Sequence, residues 1–347
     1  MKKIILVIAI VFCSFTQAQN ILIVDNNVNV DTSASHMFST FAAANTAAVN
    51  GDIIYVQPSE TNYGTITIGK EITLYGNGHT PELNGGRKAI FGHITITASN
   101  VKISGVETGP NLNVAISGTR SNITIENSKV YNIRLDVGIT NNIIIQGNII
   151  ESSILLHPAN ANSVNVTITN NFINSPVANP FQYFNSTTIF NNNVVNWEAT
   201  TAQSLFFIPT DLVAQNNIFV SQSSFNGSIW QTAGTPTIFN NCLTYSFSGV
   251  TLGVLNGTGN FDNINPVFTS IPGTNPAFLI TNNYNIGSGS LGTDSNPVGI
   301  FNGNYDFDMR GYPTLLPYLT EMTISNNMVS AGDNLSVNLK ANANKSN

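Results

Sequence analysis

Charge is what this chain lacks most. Only 9% of its 347 residues are Asp, Glu, Lys or Arg, against about 25% in an average globular protein. With 18 acidic and 12 basic residues the formal net charge is −6. That leaves no basic footprint, so a nucleic-acid partner is not expected. Cysteine is nearly absent, with Cys13 and Cys242 alone, and the four histidines show no zinc-ligand spacing. Apart from the N-terminus, no apolar run approaches the length that spans a bilayer, and even that run is too short. What is present is apolar bulk, 42% of residues including 20 Phe, together with about fifty asparagines that fill the polar quota. A chain this rich in Ile, Val and Phe has enough to bury, which argues against disorder. Its length allows one large or two ordinary domains.

The opening "MKKIILVIAIVFCSFTQAQN" reads as a secretory signal over residues 1–18. Lys2 and Lys3 form the charged region, Ile4 to Phe15 the apolar stretch, and Thr16-Gln17-Ala18 the small-residue cleavage site. The expected location is secreted or cell-surface, with the periplasm as the alternative. Cleavage after Ala18 leaves Cys242 as a single thiol, so the fold must rest on burial and hydrogen bonding without an intrachain disulfide.

The asparagines are not scattered. "VTITNNFI", "STTIFNNNVV", "LVAQNNIFV" and "TIFNNCL" repeat one pattern of a short β-like run followed by Asn-Asn. Aligned on Ile103, Ile125, Ile145, Ile168, Ile189, Ala214 and Ile238, the unit recurs every 20–25 residues or so. Two places before each anchor stands Val101, Ile123, Ile143, Val166, Thr187, Leu212 or Pro236, with a mostly polar residue between. That is the period-two alternation of a strand with one face in and one out. Two places after the anchor the column reads Gly105, Asn127, Gly147, Asn170, Asn191, Asn216 and Asn240. Gly and Asn share this slot because both tolerate a left-handed backbone, so a positive-φ bend is expected there. Stacked Asn side chains can also hydrogen-bond along the column. A unit this short cannot bury its inner face alone and must stack on copies of itself in parallel, about 4.8 Å apart. That makes a β-helix; a propeller blade is about twice as long.

The ends fit a solenoid. In "HMFSTFAAANTAAVNGD" the pattern predicts one helix, with Ser39 as N-cap, Phe38 as a staple, Phe41 and Val49 facing inward and Gly51 ending it. It would close the open apolar end. "STFAAANTAAVNGDIIYVQPSETNYGTITIGKEITLYGNGH" resembles the N-terminal cap and first coils of secreted bacterial right-handed parallel β-helix proteins of the pectin-lyase-like superfamily. "NIGSGSLGTDSNPVGIFNGN" resembles the closing segment of the same group. The resemblance implies an all-β, right-handed parallel β-helix of roughly ten coils with an N-terminal capping helix. The expected organisation is a signal peptide at 1–18, a β-helix domain at 19–316, and a C-terminal hairpin and polar tail at 317–347. The superfamily includes lyases, hydrolases, tailspikes and adhesins, so it does not decide the activity.

Lyase chemistry needs carboxylates that hold Ca²⁺ and an Arg or Lys base; hydrolysis needs paired aspartates. No Asn-Thr-Asp, Asp-Asp or Gly-His-Gly motif is present, which speaks against the hydrolases. Stacking "LNVAI", "IRLDV" and "SILLHP" aligns Leu112, Ile133 and Ile154 as an inward column. It puts Arg134 and Asp136 on one outer face, with His157 beside Asp136 on the next coil. Lys129 falls on Glu107, with Tyr131 and Glu151 at the adjoining bend. Arg134, Asp136, His157 and Lys129 are the candidate catalytic groups, and Tyr131, Glu151 and Glu107 the candidate binding groups. The same residues also fit an ordinary outer-face salt-bridge patch. "YDFDMRGYP" offers Asp306 and Asp308 with Arg310, either for Ca²⁺ or as part of the closing segment. No cofactor is required, and Ca²⁺ is the ion a lyase would use. The expected activity is a non-catalytic module that binds a polysaccharide or a cell-surface partner. The alternatives are a polysaccharide lyase on an acidic glycan and a structural part of an envelope or adhesive assembly.

Overall fold

The structure, a computed structural model, describes residues 19–83, 85–156, 163–198, 204–222, 229–271, 273–286, 298–314, 316–325, 329, 332 and 334–343. Residues 1–18, where a signal peptide is expected, and His157 lie outside the described residues.

Two large parallel sheets, of 12 and 14 strands, run the length of the molecule. Apart from Ile21–Val24, which also pairs with the next strand Met37–Phe38, the strands of these sheets pair with strands of the neighbouring coils. In the first sheet Val101–Ser104, Arg120–Glu126, Thr140–Gln146 and Val164–Thr169 pair in sequence order. In the second, Asn113–Ile116, Lys129–Leu135 and Ile149–Leu156 do the same. The chain therefore winds as a parallel β-helix, and the stacking that the repeat demanded supplies every coil with its inner partner. No helix among the described residues is long and apolar enough to cross a membrane.

The inward column of the first sheet is Leu22, Ile54, Leu74, Ile103, Ile125, Ile145, Ile168, Phe190, Ala214 and Phe239, all buried. Two sequence anchors are corrected by one residue, from Ile189 to Phe190 and from Ile238 to Phe239. A one-residue slip turns a strand over, so Ile189, Val213 and Ile238 stack on the outside, while Thr188 and Thr237 are buried. The reason is size. From this level the core becomes aromatic, with Phe181, Phe190 and Phe206 at ring centroid separations of 4.9 to 5.5 Å. A Phe removes more apolar surface from water than the neighbouring Ile. The column assigned to Leu112 is likewise corrected, since Val114 stands opposite Ile133 and Ile154.

The Gly/Asn slot is the expected positive-φ bend. Gly105, Asn127, Gly147, Asn170 and Asn216 all have φ between 50° and 74°, and Asn192 and Asn241 take the place of Asn191 and Asn240 through the same one-residue shift. The residue after each bend turns inward and builds a buried ladder. The Asn148 amide donates to Asn171 Oδ1 at 3.1 Å, Asn171 to Asn193 Oδ1 at 3.0 Å, and Asn193 to Asn217 Oδ1 at 3.0 Å. The backbone N–H of each donor residue also points at the next side-chain oxygen. The second amide hydrogen reaches a strand carbonyl, that of Ile125, Ile145, Ile168 or Phe190. Cys242 occupies the next rung, fully buried, and burial pushes its thiol up to about 12.

On the outer side of the bends lies the C-terminal segment, which runs back down the stack. Gly299 donates to the Asn216 carbonyl, and the Asn170 amide donates to the Ile300 carbonyl at 2.9 Å. The Asn127 amide donates to the Tyr312 carbonyl at 3.0 Å. Residues far apart in sequence thus meet at each level, because a positive-φ Asn presents its amide outward where the segment passes. The strap also covers a second apolar cluster on the outer face of the second sheet, with Ile149, Phe172, Val194, Ile218 and Leu243 beneath Phe268, Tyr284 and Ile300.

At the N-terminal end the helix spans Phe41–Ala47, shorter than the pattern suggested. Thr40, not Ser39, is the N-cap, its hydroxyl accepting from Ala43 N at 3.2 Å. Phe41 and Ala44 face the core, whereas Val49 lies beyond the helix and is exposed. Pro317–Ile324 and Val337–Ala343 pair as an antiparallel hairpin.

Candidate functional site

The outer face around Lys129–Leu135 carries the charged residues singled out from the sequence. Lys129 stands opposite Glu107 in the register, as the alignment indicated. The side chains, however, partner elsewhere. Lys129 Nζ reaches Glu151 Oε1 at 3.1 Å, and Glu107 Oε2 takes Lys88 Nζ at 2.7 Å. The strand is irregular between Val130 and Asn132 against its neighbour, so Glu151 meets Lys129 diagonally. Tyr131 sits at this irregularity, half-buried, its backbone N–H held by Thr108 Oγ1 at 3.1 Å.

Arg134 and Asp136 lie two residues apart on the same face, joined Nη2 to Oδ1 at 2.7 Å. Arg134 is flanked by Ala115 and Leu155 on the neighbouring coils. The backbone N–H of Asp136 donates to the Ile116 carbonyl. His157, placed beside Asp136 by the alignment, lies outside the described residues. Around the bend, Lys102 Nζ pairs with Glu126 Oε1 at 2.7 Å. That carboxylate is almost fully buried and also accepts from Gln146 Nε2 at 3.1 Å. Tyr305 of the strap lies close by, and its own burial, with the negative charge of Glu126 added, pushes its phenol well above the ordinary range. The site is thus a row of alternating charges, Lys88–Glu107 and Lys129–Glu151 on one face, Lys102–Glu126 and Arg134–Asp136 beside it. Pairs this exposed contribute little to stability; the Glu126 pair, out of water, binds its partners more firmly.

The same geometry bears on Ca²⁺. Each carboxylate of the row is held singly by a cation, and among the described residues no three His, Cys, Asp or Glu side chains converge as metal ligands. Asp308 is taken up locally, accepting from Arg310 N at 2.7 Å, while Arg310 pairs with Glu82 at 2.6 Å and donates to the Thr80 carbonyl. The Asp306–Arg310 stretch therefore belongs to the strap.

Two features were missed from the sequence. One is Lys88, the partner of Glu107; the register that pairs Ile90 with Glu107 leaves Lys88 within diagonal reach of that carboxylate. The other is a cavity of about 400 Å³ between the first coils and the strap, lined by Tyr55, Gln57, Asn77, Tyr312 and Tyr318 among others. Six of its fourteen lining residues lie more than 200 positions away from the rest, which no local pattern reveals.

No family model matches the chain, and no curated protein does. Among solved structures, one described as the crystal structure of pectate lyase Pel9A aligns with 80% of this chain and 92% of its own, at 14% identity and a TM-score of 0.37. No residue role is carried over from so distant a likeness. The chain is placed by its own strand pairing, as an all-β parallel β-helix.

Proposed function

We propose that this chain is a non-catalytic module, secreted or surface-associated, that binds a polysaccharide or a cell-surface partner along the long side of the solenoid. The observation that carries this reading is the pairing of charges on the candidate face. Proton abstraction in a lyase needs a base freed of its counter-charge, close to carboxylates that hold a cation. Here Lys129 and Arg134 are each neutralised by an adjacent carboxylate, and Glu107 by Lys88. A face of paired charges and half-buried Tyr131 offers hydrogen bonds to hydroxyl-rich ligands, yet no unpaired acid–base couple among the described residues. The lyase reading, with Arg134, Asp136, His157 and Lys129 in the chemistry, is the one the test must exclude.

The test uses residues 19–347 with a panel of acidic and neutral polysaccharides, with and without Ca²⁺, following retained binding and the absorbance of unsaturated sugar ends. Binding without new absorbance is the expected result. Unsaturated ends that disappear on Arg134→Ala or His157→Ala, with folding intact, would establish the lyase instead.

A further inference from the structure

The cavity between the first coils and the strap has the makings of a sugar subsite separate from the charged face. Its walls come from two sources. The strands Ile53–Val56 and Thr73–Tyr75 set Tyr55 and Tyr75 side by side on the outside, their rings stacked at 5.4 Å. Opposite, Tyr312 of the strap and Tyr318 of the hairpin stack at 3.8 Å, their planes nearly parallel. The two walls are tied together by Tyr312 Oη, which accepts from Glu82 N at 3.0 Å, and by the Arg310–Glu82 pair. Prolines 58, 81, 313 and 317 complete a stiff rim.

The chemistry of this lining selects an occupant. None of the described residues around the cavity is charged, and the nearby Arg310 is committed to Glu82. An acidic sugar would enter without a counter-charge, at a desolvation cost. A neutral pyranose fits better: its C–H face lies on a tyrosine ring, and its hydroxyls reach planar amides and phenols at the edge. Gln57 brings such an amide, half-buried, whose side chain has no partner among the described residues, whereas Asn77 is already held by Ala89 N and the Arg87 carbonyl. Proline-rich peptides also seat on aromatic grooves, but they present carbonyl acceptors and would leave the Gln57 oxygen unanswered. The volume, about 400 Å³, lies in the range of small-ligand sites.

We infer that the cavity is a binding subsite for an uncharged sugar unit, stacked on Tyr55 and Tyr318 and hydrogen-bonded by Gln57. The inference rests on the glycan-binding reading above and names a place and sugar class within it. Because the site joins the first coils to the strap, an occupant would hold the two ends of the chain together.

Calorimetric titration tests it, with hexasaccharides of xylan, β-glucan and mannan as neutral probes, oligogalacturonate as the acidic probe and a proline-rich peptide as competitor. At least one neutral hexasaccharide is expected to bind, and Tyr55→Ala, Tyr318→Ala and Gln57→Ala each to weaken it about tenfold or more, a loss of about 1.4 kcal/mol per tenfold. Glu198→Gln, at a residue that lines neither the cavity nor the charged face, should leave that affinity unchanged. Circular dichroism identifies any variant that fails to fold, and Gln57→Ala, which removes no ring packing, keeps the test decisive. Neutral-sugar binding that survives all three substitutions would sink the subsite while leaving the glycan-binding function standing. Preference for oligogalacturonate, or a tyrosine-dependent affinity for the peptide alone, would overturn the sugar class. Failure to bind any of these glycans would remove the subsite and, with it, the glycan-binding part of the proposed function.

Discussion

Replacing Asn193 by Ala breaks the buried amide ladder at its centre. The Asn193 amide donates to the Ile168 carbonyl, the Asn191 carbonyl and Asn217 Oδ1, all within 3.1 Å. Its oxygen accepts from both the backbone and the side chain of Asn171 at 3.0 Å. Much of this is shared. Asn217 Oδ1 keeps the Asn193 backbone N–H, and the Asn171 amide keeps the Ile145 and Thr169 carbonyls. The group left without an acceptor is the buried Asn171 N–H. An orphaned buried donor costs about 1–3 kcal/mol, and each lost hydrogen bond about 0.5–1.5 kcal/mol net. The void left in a tightly packed coil adds to this. Together these predict a loss of about 3 kcal/mol, seen in urea unfolding as a lower midpoint at unchanged slope. The control is Asn122→Gly. Asn122 belongs to an exposed ladder, donating to Asn100 Oδ1 at 2.8 Å and accepting from Asn142 at 2.9 Å, at φ 56°. Glycine keeps that backbone without strain, and water replaces the lost bonds, so the change should stay within about 0.5 kcal/mol. If Asn193→Ala costs less than about 1 kcal/mol, or no more than Asn122→Gly, the buried ladder is not what holds the coils in register.

Gly147→Ala should loosen the strap. Its φ is 64° and an added methyl would overlap the Tyr305 ring, so a loss of about 2–3 kcal/mol is expected, with faster proteolysis of residues 298–314 than in wild type. The pH dependence should trace to His79, fully buried with its ring edge-on to Phe278. Burial first, then repulsion from Lys88 and Lys129, pushes its imidazole down to about 3. The unfolded chain, titrating at about 6.5, then binds the proton that the folded one refuses. The native contribution is full above about pH 6.5 and is lost as the pH falls toward 3, by roughly 4–5 kcal/mol. His79→Phe should flatten that part of the stability profile; an unchanged slope between pH 6 and pH 4 would contradict the assignment.

How far the chain could be read locally shows in which positions shifted. Over residues 101–170 the strands run Val-x-Ile or Ile-x-Ile, the middle residue is polar in all but Ile144, and anchors and bends fall where the periodicity put them. From residue 187 the run becomes Thr-Ile-Phe, two apolar residues compete for one inward slot, and only packing against Phe181 and Phe206 decides for Phe190. The candidate site divides in the same way. The register of Lys129 on Glu107 was legible, because it follows from the period. The ion pairs were not, because long side chains reach diagonally and Lys88 lies just before the two-residue strand Ile90–Phe91, outside the regular repeat.

The sequence by itself determined the repeat, the parallel stack and the Gly/Asn bends, since these depend on period-two burial and on which residues accept a positive φ. Only the tertiary structure decided which asparagines turn the chain and which line the ladder, how the charges pair, and that the C-terminal segment returns to wall a tyrosine-lined cavity at the far end. Those outcomes depend on contacts between residues 20 to 230 positions apart, where side-chain size and reach, rather than local preference, set the energy.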